Sequence, residues 1–376
     1  MALTCGLCAG SNYYNQPLIY TMAKTLGTTV EQSAITIVIS QFAYALGLII
    51  LIPLSDKYSK SKLIISLMFM SGLAQIGISF SYSLWNLYFF SLIAGFFSVA
   101  AQILIPFIAS LGSPKQMAHT LSSLMAGLLL GVLLARTYAG VIATFADWHS
   151  VYFSSGILFF ISAIILYFKL PTSESNKSLN LFDIYRSMLK ISITSPQLMR
   201  RSLAGSMGFA SVITVLSTTT LILTDSPYNF NELQIGLFGL VGIVGVLATK
   251  FTGRLISNNK ENLVAKICCF VFIFQWLFLY FAQQSFTFYI IGAILGYFVF
   301  SSFNVLNQSL ILRESVESRF RMHSLYMFIY FLGASVGSTA GIYSWHYWGW
   351  NGCIIVGLLF SLIAIILDRY DSMNKE

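Results

Sequence analysis

The stretch GLLLGVLLARTYAGVIATFADW, Gly127 to Trp148, sets the terms on which the rest of the chain is read. It is apolar enough to cross ~30 Å of hydrocarbon as a helix, yet it carries Arg136 in its middle. No choice of helix ends moves that guanidinium to water. An arginine at the centre of a span costs roughly 2.5–3.5 kcal/mol on insertion scales, so such residues face a bundle interior or a water-filled cavity. The same stretch places Gly127, Gly131, Ala135 and Ala139 four apart, a smooth stripe along which another helix can approach closely.

The surrounding sequence supports a membrane setting. Of 376 residues, 57% are hydrophobic and 9% charged, whereas soluble domains carry about 25% charged residues. Spans of ~20 apolar residues fall at about 3–26, 32–54, 62–82, 84–111, 116–145, 150–169, 202–224, 233–256, 263–283, 286–312, 322–345 and 350–368. Runs such as GILFFISAIILYF (156–168) show none of the alternation that a membrane β-barrel requires. The expected fold is therefore an all-α membrane bundle of twelve transmembrane helices.

A net charge of +8 does not point to nucleic acid, because the basic residues never form a run. With the N-terminus inside, the loops near 55–62, 111–118, 169–201, 250–266 and 312–321 and the tail hold every Lys and Arg except Lys24 and Arg136. The positive-inside rule then puts both termini in the cytoplasm. No cleaved signal peptide is expected, since no basic residue precedes the first apolar run. Cys5, Cys8, Cys268, Cys269 and Cys353 lie within apolar spans with no ligand set for a metal.

Taken in order, the first span contains Ser11, Asn12, Tyr13, Tyr14, Asn15, Gln16 and Pro17. Unsatisfied polar groups at that depth cost several kcal/mol each, so the cluster either lines a cavity or bonds neighbouring helices. Residues 171–201 are the longest non-apolar segment. They read as a cytoplasmic linker with a short amphipathic helix carrying Leu179, Phe182, Tyr185, Met188 and Leu189. This linker divides the chain into an N-terminal six-helix half, 1–170, and a C-terminal half, 202–376. In the tenth span Asn304 and Gln308 are four apart, on one helix face, with Asn307 beside them.

Leu54, Ser55, Asp56 and Lys57, between the second and third spans, resemble the G-x-L-A-D-R-x-G-R-K loop of the major facilitator superfamily. Gly131, Ala135, Arg136, Ala139 and Gly140 are similar to its antiporter motif, with Arg136 where proline is usual. YYNQPL (13–18) and R-T-x-A-G at Arg136–Gly140 mark the chain as similar to a drug-antiporter-like bacterial branch, a resemblance that covers nearly its whole length. The resemblance implies two pseudo-symmetric six-helix halves with a midplane site between them, reached from alternate sides. It implies gating by Asp56 and Lys57, and by the close-packing Gly131, Gly140, Gly333 and Gly337. The fourth span has Ser91 where many proton-coupled relatives carry arginine.

No phosphate-binding loop, H-E-x-x-H motif or intramembrane carboxylate pair is present, so neither an enzyme nor a self-contained ATP-driven pump is expected. His119, His149, His323 and His346 lie near helix ends, and Asp147 and His149 are the nearest proton-coupling candidates. The reading is a monomeric secondary transporter of the bacterial inner membrane, needing no cofactor or metal. It exports a small molecule, with a proton as candidate co-substrate. A uniporter or exchanger of an anionic metabolite, and a receptor on the same fold that moves nothing, stay open. Candidate substrate-binding residues are Tyr13, Tyr14, Asn15, Gln16, Gln102, Arg136, Asn304, Asn307 and Gln308, with Trp276, Phe209 and Tyr297 as apolar walls. Arg136 has three open roles: binding an anion, biasing the conformational equilibrium as a fixed charge, or pairing structurally with a helix C-terminus.

Overall fold

The computed structural model describes residues 1–109, 114–173, 175, 180–312 and 319–373. Pro17 explains how the chain begins. A proline inside a helix cannot bond the carbonyl four residues back and crowds it, and that residue is Tyr13. The first span accordingly divides into α1 (Ala2–Gly10), a 3-10 turn over Ser11–Tyr13 and α2 (Asn15–Leu26). Gly27 ends it in the left-handed conformation at φ 63°, which glycine adopts without strain. A Thr29/Gln32 capping box then starts α3 (Val30–Ile50).

A one-turn α4 (Leu54–Lys57) leads into α5 (Lys60–Ser79), followed by α6 (Leu84–Phe97) and α7 (Ala100–Ala109) in the fourth span. Next come α8 (Pro114–Phe145) and α9 (Trp148–Lys169), the latter capped by Asp147 accepting from the Ser150 N–H at 2.7 Å. The linker helix is α10 (Leu181–Thr194); Leu179 of its expected apolar set lies outside the described residues. Ile184 and Met188 are buried, whereas Phe182 and Leu189 are exposed. The Tyr185 hydroxyl donates to the Ile50 carbonyl at 2.7 Å, fastening α10 to the end of α3.

The second half runs through α11 (Pro196–Thr224), α12 (Glu232–Phe238), a 3-10 turn over Gly239–Gly242, α13 (Ile243–Ser257), α14 (Glu261–Tyr280) and α15 (Phe286–Leu312). The last element is α16 (Arg319–Met373), broken at Gly349 with φ 59° and ψ −151°. That left-handed-side φ is one that glycine tolerates and other residues resist, so two spans join with no loop between them. Among the described residues ten helices are long and apolar enough to cross a membrane. Dividing the 50-residue one, Arg321–Tyr370, at Gly349 and adding the broken Ala2–Leu26 segment gives the twelve spans of the expected fold.

The described chain forms two compact units. One gathers Met1–Ser187 with Asn231–Leu240; the other gathers Met188–Phe230 with the described residues from Val241 onward. In the first unit α1 lies against α8 so closely that a Cβ added to Gly131 would stand 2.1 Å from Gly6 Cα. In the second, α11 packs along α16 in the same manner: a Cβ on Gly333 would stand 2.3 Å from the Ser206 carbonyl, and one on Gly337 2.3 Å from that of Ala210. Backbone-to-backbone approach of this kind is how helices associate where lipid removes the hydrophobic drive.

Candidate functional site

Arg136 sits on α8 and is 7% exposed. Its Nε donates to Gln16 Oε1 at 2.5 Å, and the Tyr13 ring lies with its centroid 5.0 Å from Cζ. The ring face is the negative end of an aromatic quadrupole, so this is a cation–π contact in a place sheltered from water. Both partners come from the break before Pro17, where the tighter 3-10 turn and the restart at Asn15 aim Tyr13 and Gln16 at α8.

The other flank of Arg136 is α12, within the same unit. Gly239 leaves room for the arginine stem, since a Cβ there would stand 2.9 Å from Arg136 Cβ. The Thr137 hydroxyl donates to the Gly236 carbonyl at 3.0 Å, and a Cβ on Gly140 would stand 2.5 Å from the Glu232 carbonyl. The α8–α12 crossing thus fixes the depth and heading of the side chain. Of the five guanidinium N–H groups, the Nε–H is engaged; no described residue accepts from Nη1 or Nη2, and no described carboxylate pairs with the cation.

The expected site residues divide. Tyr13, Gln16 and Arg136 come together. Tyr14 does not join them: its ring packs on Tyr138 at 5.3 Å and Tyr152 at 6.2 Å in the core of the unit. Asn15 is buried with Oδ1 lacking a hydrogen-bond partner among the described residues. Gln102 donates to the Tyr44 hydroxyl at 3.2 Å, and Asn12 to Ser98 at 2.9 Å, two polar pairs the amino-acid pattern alone did not join.

In the second unit Asn304 Oδ1 accepts from Gln308 Nε2 at 3.0 Å and from the Tyr326 hydroxyl at 2.8 Å. The four-residue spacing does put both amides on one face. Asn307 turns away, buried, and donates to the Phe303 carbonyl at 2.8 Å. Phe209 stacks on Tyr330 at 4.4 Å, and Tyr297 is buried. Trp276 is bound inside the unit, its indole N–H shared between Ser211 at 3.1 Å and Ser361 at 2.9 Å.

Of the expected gating residues, Asp56 is exposed on α4 and Lys57 lies 5.9 Å from the Tyr58 ring centroid. The loop after them is fastened to the start of the linker by Ser173, which accepts from the Lys60 N–H at 2.7 Å. Gly131 packs on α1, Gly140 on α12, and Gly333 and Gly337 on α11. A feature absent from the expectations is a buried ion pair: Arg201 Nη1 donates to Asp368 Oδ1, joining α11 to the end of α16. No cluster of three metal-ligating side chains exists among the described residues.

Twelve spans, two units built on matching helix crossings and a buried cation on the fifth span define a polytopic membrane transporter. The chain belongs to the Major Facilitator Superfamily, whose family model matches residues 1–338, and it is not an enzyme. It is 30% identical over 367 residues to the uncharacterized transporter YgaY of Escherichia coli O157:H7, covering 98% of this chain and 93% of that one. It is 21% identical over 361 residues to the uncharacterized MFS-type transporter YybF of Bacillus subtilis, covering 95% and 89%. Among solved structures it is similar to a variant of the nucleoside transporter NupG, with TM-score 0.75, 13% identity and 97% of each chain covered. A bacterial homologue of the human lysosomal transporter Spinster matches with TM-score 0.69, 11% identity and 98% and 95% covered. At those identities the likeness is one of fold.

Proposed function

We propose that this chain is a secondary transporter that exports a small molecule across the bacterial cytoplasmic membrane by alternating access, both termini lying in the cytoplasm. Tyr13, Gln16 and Arg136 form its recognition centre, all three within the first unit. The observation that carries the reading is the arginine, 7% exposed, held by a glutamine and a tyrosine and balanced by no described carboxylate. A purely structural arginine at this depth would have its donors matched by protein acceptors, because unmatched buried donors are costly. Donors left open are what a binding site presents to cargo.

The test is flux. The purified chain is reconstituted in vesicles and challenged with a panel of small molecules, with and without a pH gradient, in both membrane orientations. Substrate-dependent accumulation in the orientation equivalent to export supports the reading; binding without flux indicates a receptor. Arg136→Lys keeps the charge but loses the planar fork. It should fold and reach the membrane normally yet lose transport, and full activity in that variant would sink the role given to Arg136.

A further inference from the structure

We infer that the Arg136 site takes a monocarboxylate with an apolar body, the two carboxylate oxygens received by the Nη1 and Nη2 edge of the guanidinium; this deepens the transport reading and rests on it. Three observations select that ligand. The first is which donors are free. Gln16 occupies Nε and the Tyr13 ring covers a face of the group, so the remaining way in is the edge where two N–H groups point in parallel. That spacing matches the two oxygens of a carboxylate, which a guanidinium receives in bidentate fashion.

The second is the count of charges. Among the described residues the buried charged side chains are Arg136, Arg201 and Asp368, and the latter two pair with each other in the second unit. One buried cation, already partly balanced by a ring face, neutralises one negative charge. A dianion, such as a phosphate monoester near neutral pH, would leave a net charge desolvated, which is expensive. A cationic ligand would meet the guanidinium directly.

The third is the surroundings. Ala135 and Ala139 lie on α8 either side of Arg136, and with Tyr13, Leu18 and Met22 they belong to the apolar core of the unit. On the α12 side the stem meets Gly239, which presents no side chain. Carbon-rich neighbours of this kind suit a ligand whose body beyond the carboxylate is apolar.

The probe is radiolabelled benzoate, with octanoate as a second monocarboxylate, benzamide as the neutral isostere and phthalate as the dianion. Binding is measured on the purified full-length protein by scintillation proximity. Saturable benzoate binding is expected, displaced by octanoate and not by benzamide or phthalate. Because removing one partner of a buried, hydrogen-bonded charge pair leaves the other charge unpaired, Arg136→Gln should weaken binding by roughly thirtyfold or more. Gly239→Ala keeps every charge but presses on the arginine stem, and should weaken it by a smaller factor. Monodisperse elution and an unchanged helical spectrum establish that each variant is folded. Benzamide competing as well as benzoate, Arg136→Gln binding like the wild type, or no saturable binding of either monocarboxylate by the wild type would each overturn the inference. Vesicle flux separates this from the broader reading. Transport of a neutral or cationic compound that survives Arg136→Gln sinks the carboxylate site alone. Arginine-dependent benzoate binding without flux of any panel compound sinks transport alone.

Discussion

Replacing Asp368 by asparagine should destabilise the protein by about 3–5 kcal/mol, the cost typical of breaking a buried ion pair by removing one partner. The burial decides the scale. An exposed pair contributes about 0–1 kcal/mol, but here the side chains of Arg201 and Asp368 are 5% and 1% exposed. Asparagine preserves the shape and one acceptor oxygen, so what is lost is the charge that balances the guanidinium, and the effect belongs toward the lower end of the range. The double replacement Arg201→Met, Asp368→Leu removes both charges at once and should recover most of the stability, because apolar pairs of similar volume often match or exceed the ion pair they replace. The assay is unfolding of purified protein in mixed micelles of rising dodecyl sulfate fraction, followed by tryptophan fluorescence. The reasoning fails if Asp368→Asn unfolds at the wild-type detergent fraction, or if the double variant is less stable than the single one.

Two further outcomes follow from the packing and the caps. Gly131→Val and Gly333→Val should each lower stability by at least about 1–3 kcal/mol, since the first Cβ alone would stand 2.1 Å from Gly6 Cα and 2.3 Å from the Ser206 carbonyl. Gly253→Ala, with nothing within 4 Å of the added Cβ, should unfold like the wild type; equal behaviour of all three would refute the close-approach argument. Asp147 caps α9. Burial, the largest single influence on it, raises its pKa, but hydrogen bonds from Ser150 and the charge of His149 together outweigh that, so the carboxyl titrates below its ordinary value. A depressed folded pKa contributes stability that is present above the unfolded value of about 3.9 and is lost as pH falls through the folded one. Asp147→Asn keeps the cap, since the two residues cap about equally well. It should match the wild type at neutral pH and show a shallower loss of thermal stability below about pH 4. An unchanged acid limb would remove Asp147 from that transition.

The fold was legible in the sequence because lengths of apolar chain leave little choice: a bilayer admits helices of one span length, and the loops between them are short. The interruption at Tyr13 was also legible in kind, since Pro17 acts on the residue four before it. What could not be read was which of two adjacent tyrosines meets Arg136. On an ideal helix neighbours differ by about 100°, and a 3-10 turn of unknown extent changes that angle. Tyr13 thus reaches the cation while Tyr14 packs on Tyr138 and Tyr152. Gly239 was likewise visible as one glycine among several in the eighth span, but its contact with the Arg136 stem exists only in three dimensions. The Arg201–Asp368 pair, 167 residues apart in sequence, is hidden for a related reason. Each residue stands near a helix end, where solvation is the ordinary expectation, and only the packing of α11 against the end of α16 takes both out of water.

The two units repeat a contact while differing in charge, and that difference locates function better than any motif does. A small-residue crossing joins α1 to α8 through Gly6 and Gly131, and its counterpart joins α11 to α16 through Ser206 and Gly333. The repeat lies in backbone approach, which tolerates Gly, Ala or Ser, so it survives where sequence identity between the halves has faded. A buried charge does not tolerate substitution so easily. In the second unit cation and anion neutralise each other, which is what structural use of charge in a low-dielectric interior requires. In the first unit Arg136 has a glutamine oxygen, a ring face and no described anion. If both arginines served only the fold, both would be expected to end in the cheaper, neutral arrangement. That one does and the other does not is the reason to look for the missing negative charge on the molecule being carried.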